Sequence, residues 1–259
     1  MSTITPGSER DRVCVCGVPI DGLSMDAVVE RARQAVLART RLAISVVNVA
    51  KVVNMRHDQL LRESVTSGDL VLADGMPLVW LSRMKGQPLP ERVAGIDLMF
   101  EFFKLADRHG FRVYLLGARP ATLRRVVDIV HRDYPGLVVA GWQDGYFADH
   151  AQEAVAQAVR AADPDILLVA MSSPRKELFM RRWAGYMAVP VMHGVGGSFD
   201  VMAGVTRRAP RWMQNSGLEW LYRVLQEPGR MWKRYLVTNT RFIGLVTGEL
   251  LSRRSRVNQ

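Results

Sequence analysis

Short β-rich apolar runs alternate along this chain with longer amphipathic stretches, and no other feature limits the available folds so tightly. Residues 42–49 (LAISVVNV), 70–73, 111–116 (FRVYLL), 165–170 (DILLVA) and 189–193 are almost continuously apolar. A strand with one wet face alternates apolar with polar residues, so unbroken runs predict strands covered on both faces. Helix-period stretches lie between them at 25–37, 49–62, 97–109, 121–134 and 150–162. The pattern predicts an α/β fold, a Rossmann-like and mostly parallel sheet flanked by helices. Ser24 is placed to cap the first helix, and Asp163 with Pro164 closes the last.

Beyond Gly204 the β-rich runs stop, and Leu218, Leu221, Leu225, Trp232 and Leu236 give a broken helical spacing, with Pro228 and Gly229 separating two helices. The chain therefore divides into a disordered tail at 1–12, an α/β domain at 13–204 and a helical C-terminal appendage at 205–259. Of the net charge of +10, +8 falls in residues 201–259, where 11 Arg or Lys face three Glu. Such confinement points to a local partner: nucleic acid, anionic lipid or a diphosphate. Cys14 and Cys16, close to a frayed start, form no disulfide framework and only a weak zinc signal, so a cytosolic compartment is expected. The first 12 residues lack the apolar core of a secretion signal, and no window reaches about 18 continuous apolar residues. Peripheral membrane contact stays open.

Several residues stand where parallel sheets place ligands, just past the carboxyl ends of strands. Asp74, in LADGMPLVW, is either a general base or the cap of its own turn, and Gly75 frees the backbone beside it. Asn48 is a sugar or base contact or a helix cap; Asp97, after Gly95, is a good N-cap. Gly117 followed by Pro120 either turns the N–H groups near 118–122 toward an anion or is ordinary punctuation. Ser172, Lys176 and Glu177, in SSPRKE, suit a diphosphate or a ribose, or else form a solvent-facing helix start. Gly194, Gly196 and Gly197 need bare backbone beside a ligand or in a tight turn, although GxGG is not a dinucleotide fingerprint. Arg208, Arg211, Arg223, Arg230, Lys233 and Arg234, interleaved with Trp212, Trp220, Trp232 and Tyr235, favour phosphate or bilayer headgroups.

Taken together, ADG at 73–75, SSPRKE at 172–177, GVGGSFDVMAG at 194–204, RAPRWMQ at 208–214 and GLEWLYRVLQEPGR at 217–230 make the chain resemble the WecG/TagA/CpsF family of bacterial glycosyltransferases, over residues 18–236. The resemblance implies a GT-E-type fold and inverting, metal-independent transfer from a UDP-sugar to a polyprenyl-diphosphate-linked glycan, without a cofactor. It implies Asp74 as base, Asn48, Gly75, Gly117, Ser172, Lys176, Glu177, Gly196, Gly197, Arg208 and Arg211 around the donor, and Arg223, Arg230, Trp232, Lys233, Arg234 and Tyr235 toward acceptor or membrane. The place implied is the cytoplasmic face of the plasma membrane, with homo-oligomerisation open and nucleic acid not a partner. Val46 stands where the family often carries Thr, and Lys176 where Gln is usual; both point to an exopolysaccharide hexose rather than N-acetylmannosamine. Two other readings are a nucleic-acid binder using the Arg/Trp surface and a UDP-sugar binder whose catalysis has lapsed.

Overall fold

The computed structural model describes residues 12–257. The tail assigned to 1–12 thus lies outside the described residues except for Arg12, which opens strand β1. A hairpin of β1 (Arg12–Val15) and β2 (Val18–Asp21) precedes a six-stranded, wholly parallel sheet. Its strands are β3 (Leu42–Val47), β4 (Leu70–Ala73), β5 (Arg112–Gly117), β6 (Val138–Gln143), β7 (Ile166–Ala170) and β8 (Val191–Gly194), in the order β4-β3-β8-β7-β5-β6.

Helices cover both faces. On one, α1 (Met25–Ala38), α5 (Gly95–His109) and α6 (Pro120–Asp133) bury Val28, Leu98, Phe102, Phe103 and Val126 against Ile44, Leu72, Leu115 and Leu168. On the other lie α2 (Val49–Asn54), α3 (Gln59–Thr66), α4 (Met76–Met84), α7 (Gln152–Ala161) and α8 (Arg175–Met187). Strands sandwiched in this way bury both sets of side chains, which is why they read as unbroken apolar runs. Phe102 and Phe103 are fully buried, and truncating such a ring to Ala costs about 3–5 kcal/mol.

The local signals hold at Ser24, whose hydroxyl accepts from Ala27 N at 3.3 Å, and at Pro120, the first residue of α6. Four expectations need correction. The single helix expected at 49–62 is two, because Asp58 accepts from Leu61 N at 2.8 Å and caps a new start. Asp97 is no N-cap; α5 begins two residues earlier behind Ala94, and the Asp97 side chain turns elsewhere. Two helices do part where Pro228 and Gly229 predict, but the break falls one residue earlier, at Glu227, and Pro228 opens the final helix. Nor is the cysteine pair frayed: it belongs to the hairpin, where Cys16 and Gly17 turn at φ 50° and 73° and burial, then Glu249, pushes the Cys16 thiol up to about 12.

Past β8 come α9 (Ser198–Met202), α10 (Arg211–Asn215), α11 (Glu219–Gln226) and α12 (Pro228–Val257). No helix among the described residues is long and apolar enough to cross a membrane. The second half of α12 returns to the domain, where Phe242, Leu245 and Val246 pack on Val15, Ile20 and Val52.

Candidate active site

The strand order sets the predicted residues along the carboxyl edge in a row: Asp74 after β4, Asn48 after β3, the glycine turn after β8, Ser172 after β7 and Gly117 ending β5. Asp74 is tied at both ends. Its backbone N–H donates to Val47 O at 2.8 Å, and its Oδ1 accepts from Gly95 N at 3.1 Å, at the start of α5. A helix N-terminus favours a carboxylate, so α5 orients the group and stabilises its charge. Asp74 does not cap its own turn, since Gly75 is the N-cap of α4 and has no side-chain cap bond. Oδ2 takes no hydrogen bond among the described residues. Asn48 caps α2 through Oδ1, accepting from Lys51 N at 3.0 Å, and its amide nitrogen remains at the exposed edge.

Beneath Asp74 the packing is tight. A Cβ on Gly95 would come 3.2 Å from Val46 Cγ2 and 3.6 Å from His193 Nε2. His193, not singled out from sequence, is completely buried, with Nε2 3.0 Å from the Gly95 carbonyl and the ring edge-on to Phe102. Burial lowers its pKa to about 4, so it is neutral and its Nε2–H donates to Gly95. It acts as a strut for the turn that holds Asp74.

Lys176 and Glu177 are not at a solvent-facing helix start: they are 7% and 5% exposed. Glu177 Oε1 lies 2.9 Å from Lys51 Nζ and 2.7 Å from Lys176 Nζ, while Lys51 Nζ also donates to Val46 O at 2.6 Å. Burial works to raise the Glu177 carboxyl, but the two ammonium groups outweigh it and hold it at about 2. Burial and then Lys51 lower Lys176 to about 8, against the pull of Glu177 and Asp74. Ser172 is exposed, and its neighbour Arg175 is a structural clamp, donating to the carbonyls of Gly145 and Phe147 and lying over the Phe147 ring.

The switch point of the sheet lies between β5 and β7, whose following helices α6 and α8 leave on opposite faces. Gly117 sits at φ 124°, and a Cβ there would fall 2.3 Å from the Ala170 carbonyl, so this turn admits only glycine. At the start of α6 one of the backbone N–H groups is already engaged and a carboxylate lies close by. Ala118 N donates to Ala170 O at 2.9 Å, and the Thr122 hydroxyl to Asp200 Oδ1 at 3.3 Å. Tyr146, missed from sequence and in the loop after β6, accepts from Arg119 Nε at 3.5 Å. Gly196 has φ 57° and neither Gly196 nor Gly197 has an atom within 4 Å of a Cβ, which leaves bare backbone toward open space.

The appendage reaches this edge through ion pairs that no local pattern announced. Arg208 grips Asp97 with both guanidinium nitrogens, at 2.5 and 2.7 Å. Arg92 donates to Glu219 Oε2 at 2.8 Å and to Gln214 Oε1 at 3.2 Å. Gly217 fits against Trp80, whose ring a Cβ would meet at 2.9 Å. Arg211 and Arg223 are exposed, Trp220 and Tyr235 are in ring contact, and Lys233 lies over Trp232. The side chains of Arg230 and Arg234 lie outside the described residues.

A covered parallel sheet with its carboxylate, its switch point and its helical extension gathered at one edge is the arrangement of an α/β enzyme domain. The chain belongs to the glycosyl transferase WecG/TagA/CpsF family, whose sequence profile it matches over residues 13–256. It is 38% identical over 183 residues to the N-acetylglucosaminyldiphosphoundecaprenol N-acetyl-beta-D-mannosaminyltransferase of Bacillus spizizenii, covering 71% of this chain and 68% of that one. To the protein of the same name in Bacillus subtilis it is 37% identical over 172 residues, 66% of each chain.

Proposed function

We propose that the protein transfers a sugar, hexose or N-acetylhexosamine, from a UDP-sugar to a polyprenyl-diphosphate-linked saccharide, with inversion and without a metal, in building a bacterial exopolysaccharide or other surface polysaccharide. The observation that carries this reading is Asp74, with one carboxylate oxygen pinned by Gly95 and the other without a hydrogen bond among the described residues, at the carboxyl edge. The acceptor oxygen bonds to the anomeric carbon as the bond to the UDP phosphate breaks. Asp74 Oδ2 takes the acceptor proton, and the electron pair leaves with UDP. The switch point between β5 and β7 suits the nucleoside, beside Tyr146 and Asp200, with the diphosphate running toward the Gly196 and Gly197 backbone. Arg208 and Arg211 meet the charge that builds on it. The names of the two Bacillus relatives specify an N-acetylmannosaminyl group and an undecaprenol diphosphate acceptor. UDP-sugars supplied in turn with synthetic prenyl-diphosphate glycans test the reading: a product of inverted anomericity by NMR is expected, and a retained configuration rejects the single displacement.

The place of action is proposed to be the cytoplasmic membrane face, bound peripherally. Support comes from exposed Trp212, Leu225, Trp232 and Leu236 on an appendage that carries most of the net charge. Because α12 also completes a core, deleting the appendage would confound binding with unfolding. Replacing Leu225, Trp232 and Leu236 together by Ser is expected to cut co-sedimentation with anionic vesicles several-fold at an unchanged melting temperature. Undiminished sedimentation would reject the membrane role.

A further inference from the structure

Helix α4 leads away from the site with a stripe of apolar side chains that the core does not use. Its inner face buries Leu78, Val79 and Leu81. On the outer side Met76 is half-buried, Trp80 is 40% exposed and Met84 is 62% exposed. Residues at i, i+4 and i+8 lie one above another on a helix, so the three form a single line about 12 Å long at ~1.5 Å per residue. The line starts beside the base, because only Gly75 separates Asp74 from the first turn of α4. Gly217 of the appendage borders it: a Cβ there would lie 2.9 Å from the Trp80 ring and 3.6 Å from Met76 Cβ. Helix α11, which follows, buries none of its residues, so Leu221 and Leu225 also stay outside the core.

Three features of the stripe describe its occupant. It is one side chain wide, which suits a linear hydrocarbon and is too narrow to seat a bilayer, for which a helix presents a broad apolar face flanked by cations. It is made of methionine and tryptophan, and the flexible thioether side chain adapts to an irregular, branched ligand. Its near end lies at the carboxylate, so a chain held along it is continuous with a molecule reacting there. We propose that Trp80 and Met84 carry the first isoprene units of the acceptor's prenyl chain, while the saccharide and diphosphate span the near part of the stripe, from Asp74 past Met76. The proposal rests on the transfer to a prenyl-diphosphate acceptor described above and adds the path of the lipid. That path is separate from the exposed Trp232 and Leu236 of α12, which face no part of α4 in sequence or in the stripe's line.

The test uses the full chain in solution, without vesicles, and compares N-acetylglucosaminyl diphosphates esterified to farnesol and to methanol, the saccharide being the one in the names of the two Bacillus relatives. The farnesyl ester is expected to have a KM lower by about tenfold. Met84 stands outside the core, so Met84→Gln tests the stripe without opening a cavity. It is expected to raise the KM of the farnesyl ester about 3–10-fold relative to that of the methyl ester, and Met84→Leu to restore the ratio. Leu37→Gln, at a residue of the same exposure on α1, is expected to leave the ratio at its wild-type value. No farnesyl preference, or a preference that survives Met84→Gln, overturns the proposal and leaves sugar transfer standing. Loss of vesicle binding in Met84→Gln at an unchanged KM ratio assigns the stripe to the bilayer and overturns the proposal too. If neither ester is turned over, that counts against the transfer, and the binding of farnesyl diphosphate against inorganic diphosphate, followed by tryptophan fluorescence, decides the stripe. Binding weakened by Met84→Gln supports it; binding absent or unaltered rejects it.

Discussion

Asp74→Asn is expected to slow sugar transfer by about 10²–10⁴-fold, the usual contribution of a positioned base, while the melting temperature and UDP binding stay at wild-type values. The asparagine side chain keeps the shape of the carboxylate, and its oxygen can still accept from Gly95 N, so the turn between β4 and α4 is retained. What is lost is the second oxygen, replaced by an amide nitrogen that has no lone pair for a proton. Single-turnover transfer to a prenyl-diphosphate glycan is the measurement, because it isolates the chemical step from product release. Full activity would remove Asp74 as the base.

For Arg208→Ala the expected loss is about 10²–10³-fold in kcat, comparable to removing one donor from a site that stabilises developing charge. Arg208 is held at present by Asp97, so its guanidinium is already pointed at the carboxyl edge, near enough to Asp74 to feel its charge. A diphosphate arriving there competes with Asp97 for the same fork of N–H groups. Arg208→Lys keeps the charge and loses the fork, and is expected to recover only part of the rate. Because Arg92 stays on Glu219 and Gln214, the appendage remains attached in both variants. A change confined to KM would mean that Arg208 contributes only ground-state binding.

The sheet was legible because burial on both faces writes itself into sequence as unbroken apolar runs; β3, β4, β5, β7 and β8 all fall within two residues of where those runs lie. Strand β6 was not legible. It is an edge strand, VVAGWQ, with only partial burial and a glycine in the middle, and nothing in its composition separates it from a loop. The hairpin at Arg12–Asp21 was hidden for a similar reason: each strand is four residues long. At the site, Asp74 and the glycines could be placed because they directly follow strands. Arg92, Tyr146, Asp200 and His193 gain their meaning from partners 27 to 127 residues away, through contacts that no local spacing encodes. The same holds for Glu177, whose buried charge is met by Lys51 from another helix.

The contact between the hairpin and the final helix also bears on how the chain is made. Cys16 N donates to Glu249 across 233 residues, and Phe242 fills the pocket that Val15 and Ile20 leave open. At ribosomal speeds of about 5–20 residues per second, the first strands wait roughly 10–50 s for the helix that covers them. During that interval Val15, Ile20 and Val52 lack the apolar cover that Phe242, Leu245 and Val246 later supply. Closure of the hairpin against the final helix is thus a late event. A nascent chain stalled before α12 leaves that patch of the core uncovered.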